Sequence, residues 1–410
     1  MEDPFLLLVI LTTLTCKHNI IGADLTKAPG HMKPFGYGRP MVEVEETFVT
    51  PDPETFWKNN VYALKPLKMK GAASISPAFS KWTDDYFLSL DMSNENTVTV
   101  ETVKKESRQQ KIVQMDFQRF VQEYNNSEIY MVNSVPQTIC KDVVLPCPLQ
   151  CQYLVEKGLV EALMWYSSGG TNSVVHTDSV DNINCLYRGK KEFILIDPSK
   201  YGDKVDLDHP EGSYSAVDVD SVDYTAYPGL AEVEYIHVSM EAGDCLYIPY
   251  RWIHQVRSYA NNLAVNIWWN HHIAPEINLD LCNAQCDLDL TLDALEFRGF
   301  GEVTTVDGIR DHFETFLGVS SRVSFKRFQR ALLGEDLDML KERNAGDEHL
   351  LYLRQIFTVL DGNLDDILTK QEVKDATPEN WTQIQKVMME MDSYLDRTLG
   401  VADDNQHDEL

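Results

Sequence analysis

His176, Asp178 and His254 are the residues of this 410-residue chain whose types and spacing could do chemistry. Two imidazoles and one carboxylate on one face of a metal leave the other coordination positions open, the ligand set of non-heme Fe(II) oxygenases. His176 and Asp178 are two residues apart, and on an extended chain that spacing puts both side chains on the same face. His254 lies 76 residues beyond Asp178 and must arrive from another strand. A small β-barrel brings such distant strands side by side. A His-x-Asp on its own also describes a surface pair beside a turn, so its neighbours decide between the two.

Those neighbours are specific. Lys191 follows His176 by fifteen residues and Asn182 follows it by six; Ser173 precedes it by three, and Asn266 follows His254 by twelve. Lys191 introduces the apolar run Phe193–Ile196 in phase with Phe193 and Leu195, so a two-residue alternation turns it inward with them. With these spacings, and with the segments NVYALKPLKMKG, WTDDYFL, MVNSVPQTICKDVVLPCP and AGDCLYIPYRWIH, residues from roughly 35 to 275 resemble the jumonji C (JmjC) family of 2-oxoglutarate oxygenases. The likeness is greatest to the family's protein-hydroxylase branch.

The resemblance implies a mainly β fold with α, a double-stranded β-helix of the jelly-roll or cupin kind. It implies Fe(II) held by His176, Asp178 and His254, and Lys191 paired with the distal carboxylate of 2-oxoglutarate. Ser173 or Tyr130 would add a hydroxyl donor there. Asn182 and Asn266 would hydrogen-bond around the cosubstrate's metal-bound end, and Trp268 would pack beside the iron. The chemistry agrees, because a buried dicarboxylate needs a cation and donors to offset its desolvation. From the residues alone, Lys191 could equally be solvated in a turn, Asn182 a turn residue, and Tyr130 and Trp268 core aromatics.

Both ends of the chain look like address labels. Residues 5–14, FLLLVILTTL, form an apolar run too short to span a bilayer and read as a signal peptide over residues 1–23, with cleavage after Ala23. Its start carries Glu2 and Asp3 where positive charge is usual. The chain closes on His407-Asp408-Glu409-Leu410, a retrieval signal for the endoplasmic reticulum within the tail 401–410. The expectation is a protein of the endoplasmic-reticulum lumen, with the retrieval receptor and a protein substrate of the secretory pathway as partners and no membrane span. A net charge of −28 argues against nucleic acid, whose phosphates require Lys and Arg.

Of eight cysteines, Cys16 would leave with the signal, and an odd seven remain. Cys140, Cys147 and Cys151 cluster, as do Cys282 and Cys286; an oxidising lumen permits bridges between the groups. Cys185 and Cys245 sit in apolar runs and read as small buried hydrophobes. Asn125 and Asn380 open Asn-x-Ser/Thr sequons, candidates for glycosylation.

Along the chain, residues 24–45 read as an extended arm, 53–61 as a first helix, 77–90 as loop plus strand, and 115–124 as a helix. From 159 to 270 short strands follow one another: ALMWYS, INCLYRG, KEFILID, CLYIPY, HQVRSY and LAVNIWW. That is the rhythm of a barrel or jelly roll. The oxygenase domain is accordingly drawn over 24–275, with an acidic loop over 201–233 near the barrel mouth.

Residues 276–400 read as a helical, EF-hand-like domain. The stretch DGNLDDILTKQE, 361–372, offers calcium ligands at Asp361, Asn363, Asp365, the Ile367 carbonyl, Thr369 and Glu372, with apolar Leu368 at the eighth place. Asp366 stands where a turn glycine is normal. Aligning Val323 with Leu368 puts Phe316 and Arg327 at ligand positions, so the upstream half is either a silent partner loop or a plain helical hairpin. The sequence is thus expected to encode a lumenal Fe(II)/2-oxoglutarate dioxygenase with a possible Ca(II) site. A non-catalytic JmjC scaffold and a calcium-regulated binding protein are the competing readings.

Overall fold

The computed structural model describes residues 24–92, 97–103, 112–207, 214–283, 285–299, 322–333 and 347–399, with the isolated positions 306, 309–310, 313 and 340. The expected signal peptide and retrieval signal lie outside the described residues.

Twelve strands form one sheet among the described residues. They are β1 (Met41–Glu43), β2 (Glu45–Thr47), β3 (Leu67–Met69), β4 (Thr97–Glu101), β5 (Ile112–Asp116), β6 (Tyr130–Ser134), β7 (Leu159–Ser167), β8 (Thr171–Asn172), β9 (Asp181–Ile196), β10 (Tyr235–Glu241), β11 (Cys245–Ile248) and β12 (Ile253–Trp269). Their order is β2-β3-β11-β9-β12-β7-β6-β4-β5; β10 also joins β9 and carries β1, and β8 joins β12.

The spine is the antiparallel pair β9 and β12, matched from Ile196 opposite Ile253 to Asp181 opposite Trp269. Each fuses two strands expected to be separate. Gly189 makes a bend rather than a turn, with φ +81°, while the pairing shifts register between Tyr259 and Ala264. A Cβ on Gly189 would lie 2.8 Å from the Tyr259 carbonyl oxygen and 2.9 Å from that of Ala260, so the close crossing requires glycine. Beyond the bend β9 changes partners: β11 pairs with Asn182–Cys185 and β10 with Lys190–Leu195. One continuous sheet thereby wraps into a jelly roll.

Alternation along β9 sorts its residues. Ile183, Cys185 and Tyr187 pack outward with Phe56, Trp57 and Phe87, whereas Leu186, Phe193 and Leu195 pack inward with Val238, Leu246 and Ile248. Asn182 and Asn184 share the phase of Leu186, and Lys191 that of Phe193 and Leu195; the bend at Gly189 shifts the alternation by one, so all three line the inward cavity.

Several expectations change. Residues 77–90 hold two short helices, Ala78–Lys81 and Asp84–Ser89, and no strand. The Thr83 side chain caps the second by accepting from Tyr86 N–H at 3.1 Å, with Asp84 and Asp85 in the first turn. Local capping decided the segment. The expected helix at 115–124 begins at Phe117, because Ile112–Asp116 is a strand. Cys185 and Cys245 are joined in a disulfide, because strand register sets them opposite one another. Cys147–Cys286 and Cys151–Cys282 are also bridged, while Cys140 stays a buried thiol that donates to the Val135 carbonyl.

Those two bridges, with Leu292 in the main core, bind residues 276–299 to the barrel. The domain break drawn at 275 therefore falls too early. The C-terminal helices Phe325–Leu333, Glu348–Leu360, Lys370–Asp375 and Pro378–Leu399 enclose a separate core around Phe328, Phe357, Leu368 and Trp381. Two short strands, β13 (Arg322–Ser324) and β14 (Ile367–Thr369), pair there with Val323 opposite Leu368.

Candidate active site

The sheet brings His176, Asp178 and His254 together. Among the described residues they are the one group of three His, Cys, Asp or Glu ligand atoms lying within 4.8 Å of one another. His254 Nε2 is 3.6 Å from one Asp178 oxygen and His176 Nε2 is 3.9 Å from the other. The two histidines bridge each other's backbones, N–H to carbonyl, at 3.0 and 2.8 Å. Each ring Nδ1 lies 2.9 Å from the carbonyl two residues upstream, Val174 or Trp252. That contact requires the proton on Nδ1, so Nε2 is the nitrogen that faces Asp178 and is free to ligate when the ring is neutral. Burial pushes His254 down to about 4, with the neighbouring His176 adding to the effect and Asp178 opposing it. At neutral pH His254 is uncharged, the form that ligates a metal.

Beside the triad is a cavity of about 160 Å³. Lys191 lines it, 4% exposed, with Trp165 and Phe193 rings 5.8 and 5.9 Å from its ammonium. No carboxylate among the described residues pairs with it. Burial alone pushes its pKa down to about 7. A lone buried cation facing a cavity is a site that an anion stabilises.

Each expected cosubstrate residue lines this cavity. Ser173 Oγ accepts from Val256 N–H at 2.9 Å, which leaves its own proton to donate. The Tyr130 hydroxyl instead donates to Glu101 at 2.5 Å, with its ring stacked on Trp165. Asn182 presents a buried amide oxygen without a hydrogen-bond partner. The Asn266 oxygen accepts from the Asn184 amide. Trp268 forms part of the wall.

Asn184, Thr171 and Ser258 are among the lining residues that the sequence reading did not name. Asn184 follows Asn182 by two on β9, and its own amide oxygen is also buried and unmatched. A second asparagine in phase with the first was a readable signal. Ser258 stands opposite both Lys191 and Thr171, so two hydroxyl residues lie in a row with the lysine across β9, β12 and β8. Only strand register reveals them.

The donor set fits the implied groups. Two imidazoles and a carboxylate suit Fe(II). A buried cation with neighbouring hydroxyls and unmatched amides suits a dicarboxylate.

In the C-terminal unit, Asp361 is buried, and its carboxylate accepts from the N–H groups of Asp365 and Asp366 at 3.2 and 3.0 Å. Asn363 accepts from Asp365 N–H, and Asp365 from Ile367 N–H. Thr369 and Glu372 form a capping box, so one Glu372 oxygen already accepts from Thr369 N–H at 2.9 Å. These acidic groups do not converge as the triad does. Asp366 has φ +60°, the left-handed conformation that glycine takes without strain. Of the sequon residues, Asn125 is exposed, while Asn380 is half-buried and accepts from Thr377 N–H at 2.9 Å.

This fold and site define a cupin-type protein, and comparison with known proteins agrees. The family described as Cupin-like domain matches residues 53–274, and the chain belongs to it. Jumonji C domain-containing protein 5 of Drosophila melanogaster is 27% identical over 234 residues, 53% of this chain and 58% of its own length. tRNA wybutosine-synthesizing protein 5 of Gallus gallus is 27% identical over 241 residues, 53% of this chain and 74% of its own. Lysine-specific demethylase JMJ30 of Arabidopsis thaliana is 35% identical over 112 residues, 26% of this chain and 25% of its own. The chain thus spans little more than half the length of the fly relative and a quarter of the plant one.

Proposed function

We propose that this chain is an Fe(II)- and 2-oxoglutarate-dependent dioxygenase that hydroxylates a protein side chain in the lumen of the endoplasmic reticulum. The observation that carries the reading is Lys191, a buried cation without an anion, in the same cavity as His176, Asp178 and His254. When bound, Fe(II) with O₂ and 2-oxoglutarate supplies an oxidant able to hydroxylate an unactivated C–H bond, with release of succinate and CO₂. The two histidines and Asp178 hold the metal. Lys191 receives the distal carboxylate, and the Ser173 hydroxyl donates beside it. Asn182 and Asn266 bind the other end, and Trp165, Phe193 and Trp268 exclude water from the cavity.

The relatives' names include enzymes of tRNA and of lysine demethylation. A net charge of −28 disfavours an RNA substrate. Three disulfides among the described residues support an oxidising compartment. That compartment agrees with a glycosylation sequon at exposed Asn125. A non-catalytic scaffold accounts poorly for an intact triad that shares its cavity with an unpaired lysine. The test is mass spectrometry of lumenal proteins with and without this chain; a +16 Da difference absent from the Asp178→Ala strain supports hydroxylation, and its absence from the wild-type strain counts against it.

A second reading concerns calcium. The pairing of Val323 with Leu368 and the left-handed Asp366 favour an EF-hand-like pair in which only 361–372 binds Ca(II). Asp361, Asn363, Asp365, the Ile367 carbonyl, Thr369 and Glu372 would be its ligands.

A further inference from the structure

On the reading just given, we propose that Asp181 is a positioning residue for the metal. With His271 it clamps the segment carrying Asp178 to the turn that delivers His254. Asp181 opens β9 three residues after Asp178 and is wholly buried. A carboxylate so placed needs its oxygens answered by donors. Three do so: the Tyr247 hydroxyl at 2.7 Å and the Tyr250 backbone N–H at 2.9 Å on one oxygen, and His271 Nδ1 at 2.8 Å on the other.

Two of these donors lie on the path to His254, Tyr247 in β11 and Tyr250 in the turn between β11 and β12. The next residue repeats the attachment, because Arg251 N–H donates to the Asp178 carbonyl at 3.0 Å. Consecutive N–H groups of one turn are therefore held by the two ends of the Asp178–Asp181 segment. Arg251 adopts φ +60°. For a residue with a side chain that conformation costs about 1–3 kcal/mol and persists where its surroundings over-determine it. His271 adds the last restraint. Its ring stacks on Tyr250, with centroids 4.3 Å apart and planes 4° from parallel, so it holds that residue's ring while Asp181 holds its N–H.

Asp181, Tyr247, Tyr250, Arg251 and His271 are all absent from the cavity lining. Their effect reaches the site through Asp178 and His254. Groups that orient metal ligands from behind contribute about 10–100-fold to metal affinity. A buried Asp that only stabilised the fold would lower the melting temperature of its variants and leave the affinity of the folded protein alone.

The experiment measures Mn(II) affinity and the Co(II) absorption spectrum of the full metal-free chain. It compares wild type with Asp181→Ala, Asp181→Asn and His271→Ala, each shown to be folded by circular dichroism. Asp181→Ala should bind Mn(II) about 10–100-fold more weakly and shift the Co(II) bands. Asp181→Asn keeps an oxygen for Tyr247 and Tyr250 and should recover most of that loss, with His271→Ala between the two. Unchanged affinity and bands in Asp181→Ala overturn the proposal; if that variant does not fold, His271→Ala decides by the same criterion. Failure of the wild type itself to bind Mn(II) would overturn the reading of the triad, so the two failures are distinguishable.

Discussion

His176 and His254 exchange both backbone hydrogen bonds across the site, at 3.0 and 2.8 Å, and each ring is pinned by a carbonyl two residues upstream. The imidazoles cannot separate unless their backbones do. Metal binding then depends on Asp178 to close a preformed pair and to supply the anion. Asp178→Ala should leave the fold intact and weaken Mn(II) by more than the roughly 100-fold upper range of outer partners. Calorimetry on the full chain checks it, and an unaltered affinity would count against the triad.

Lys191 sets the pH dependence of cosubstrate binding. In the empty cavity its pKa is about 7. A carboxylate placed against it raises that value, because an opposite charge favours the protonated form. Below about pH 7 the lysine is already charged and affinity is flat with respect to this group. Above it, binding must bring in a proton, so 2-oxoglutarate affinity falls by up to about tenfold per pH unit. Calorimetry in buffers of different ionisation enthalpy should show uptake approaching one proton at alkaline pH, and none in Lys191→Ala. An affinity independent of pH on the alkaline side would remove Lys191 from the role.

Removing the lysine should also cost affinity outright. Loss of one partner of a buried charge pair costs about 3–5 kcal/mol, or roughly two to three and a half orders of magnitude at about 1.4 kcal/mol per tenfold. Mn(II) binding should be largely spared in Lys191→Ala. Equal loss of both ligands would mean that the substitution damages the barrel and not the cosubstrate contact.

Much of this site was legible in the sequence, for a physical reason. Lys191 is in phase with Phe193 and Leu195, so period-two alternation predicts where it points; His176 makes only isolated bridges and Asp178 lies in no strand, so their closeness in sequence, not a strand's alternation, brings those two together. Thr171 and Ser258 were not legible, because they reach Lys191 through the register of three strands. The Cys185–Cys245 bridge was hidden likewise. β9 and β12 each read as two strands, since a bend at Gly189 and a turn there look the same in sequence. The helices within 77–90 were missed because the cap at Thr83 was overlooked.

Gly189 offers a test of the wrapped sheet. Alanine there would keep a left-handed φ of +81° and press its Cβ on two backbone carbonyls that cannot rotate away. Strain of this kind costs about 1–3 kcal/mol, and each kcal/mol lowers the melting temperature by about 2–4 °C. Scanning calorimetry of Gly189→Ala should show that loss. An unchanged melting temperature would mean that the bend does not need glycine.

The proposed calcium loop should bind weakly. Asp366 holds a strained φ in place of glycine, and Glu372 must leave its capping box to ligate. Dissociation constants of about 10⁻⁴–10⁻³ M are expected, with one Ca(II) per chain and binding lost in Glu372→Ala. Two bound ions would refute the silent partner loop, and none at millimolar calcium would leave this unit a helical packing module.

The most direct test of the oxygenase assignment is the release of labelled CO₂ from 1-¹⁴C-2-oxoglutarate by the purified full chain, with and without added Fe(II), in wild type and Asp178→Ala. The account predicts release that requires both Fe(II) and O₂ in the wild type and disappears in Asp178→Ala. Equal release from the two proteins, or none from a wild type shown to bind both Fe(II) and 2-oxoglutarate, would contradict it.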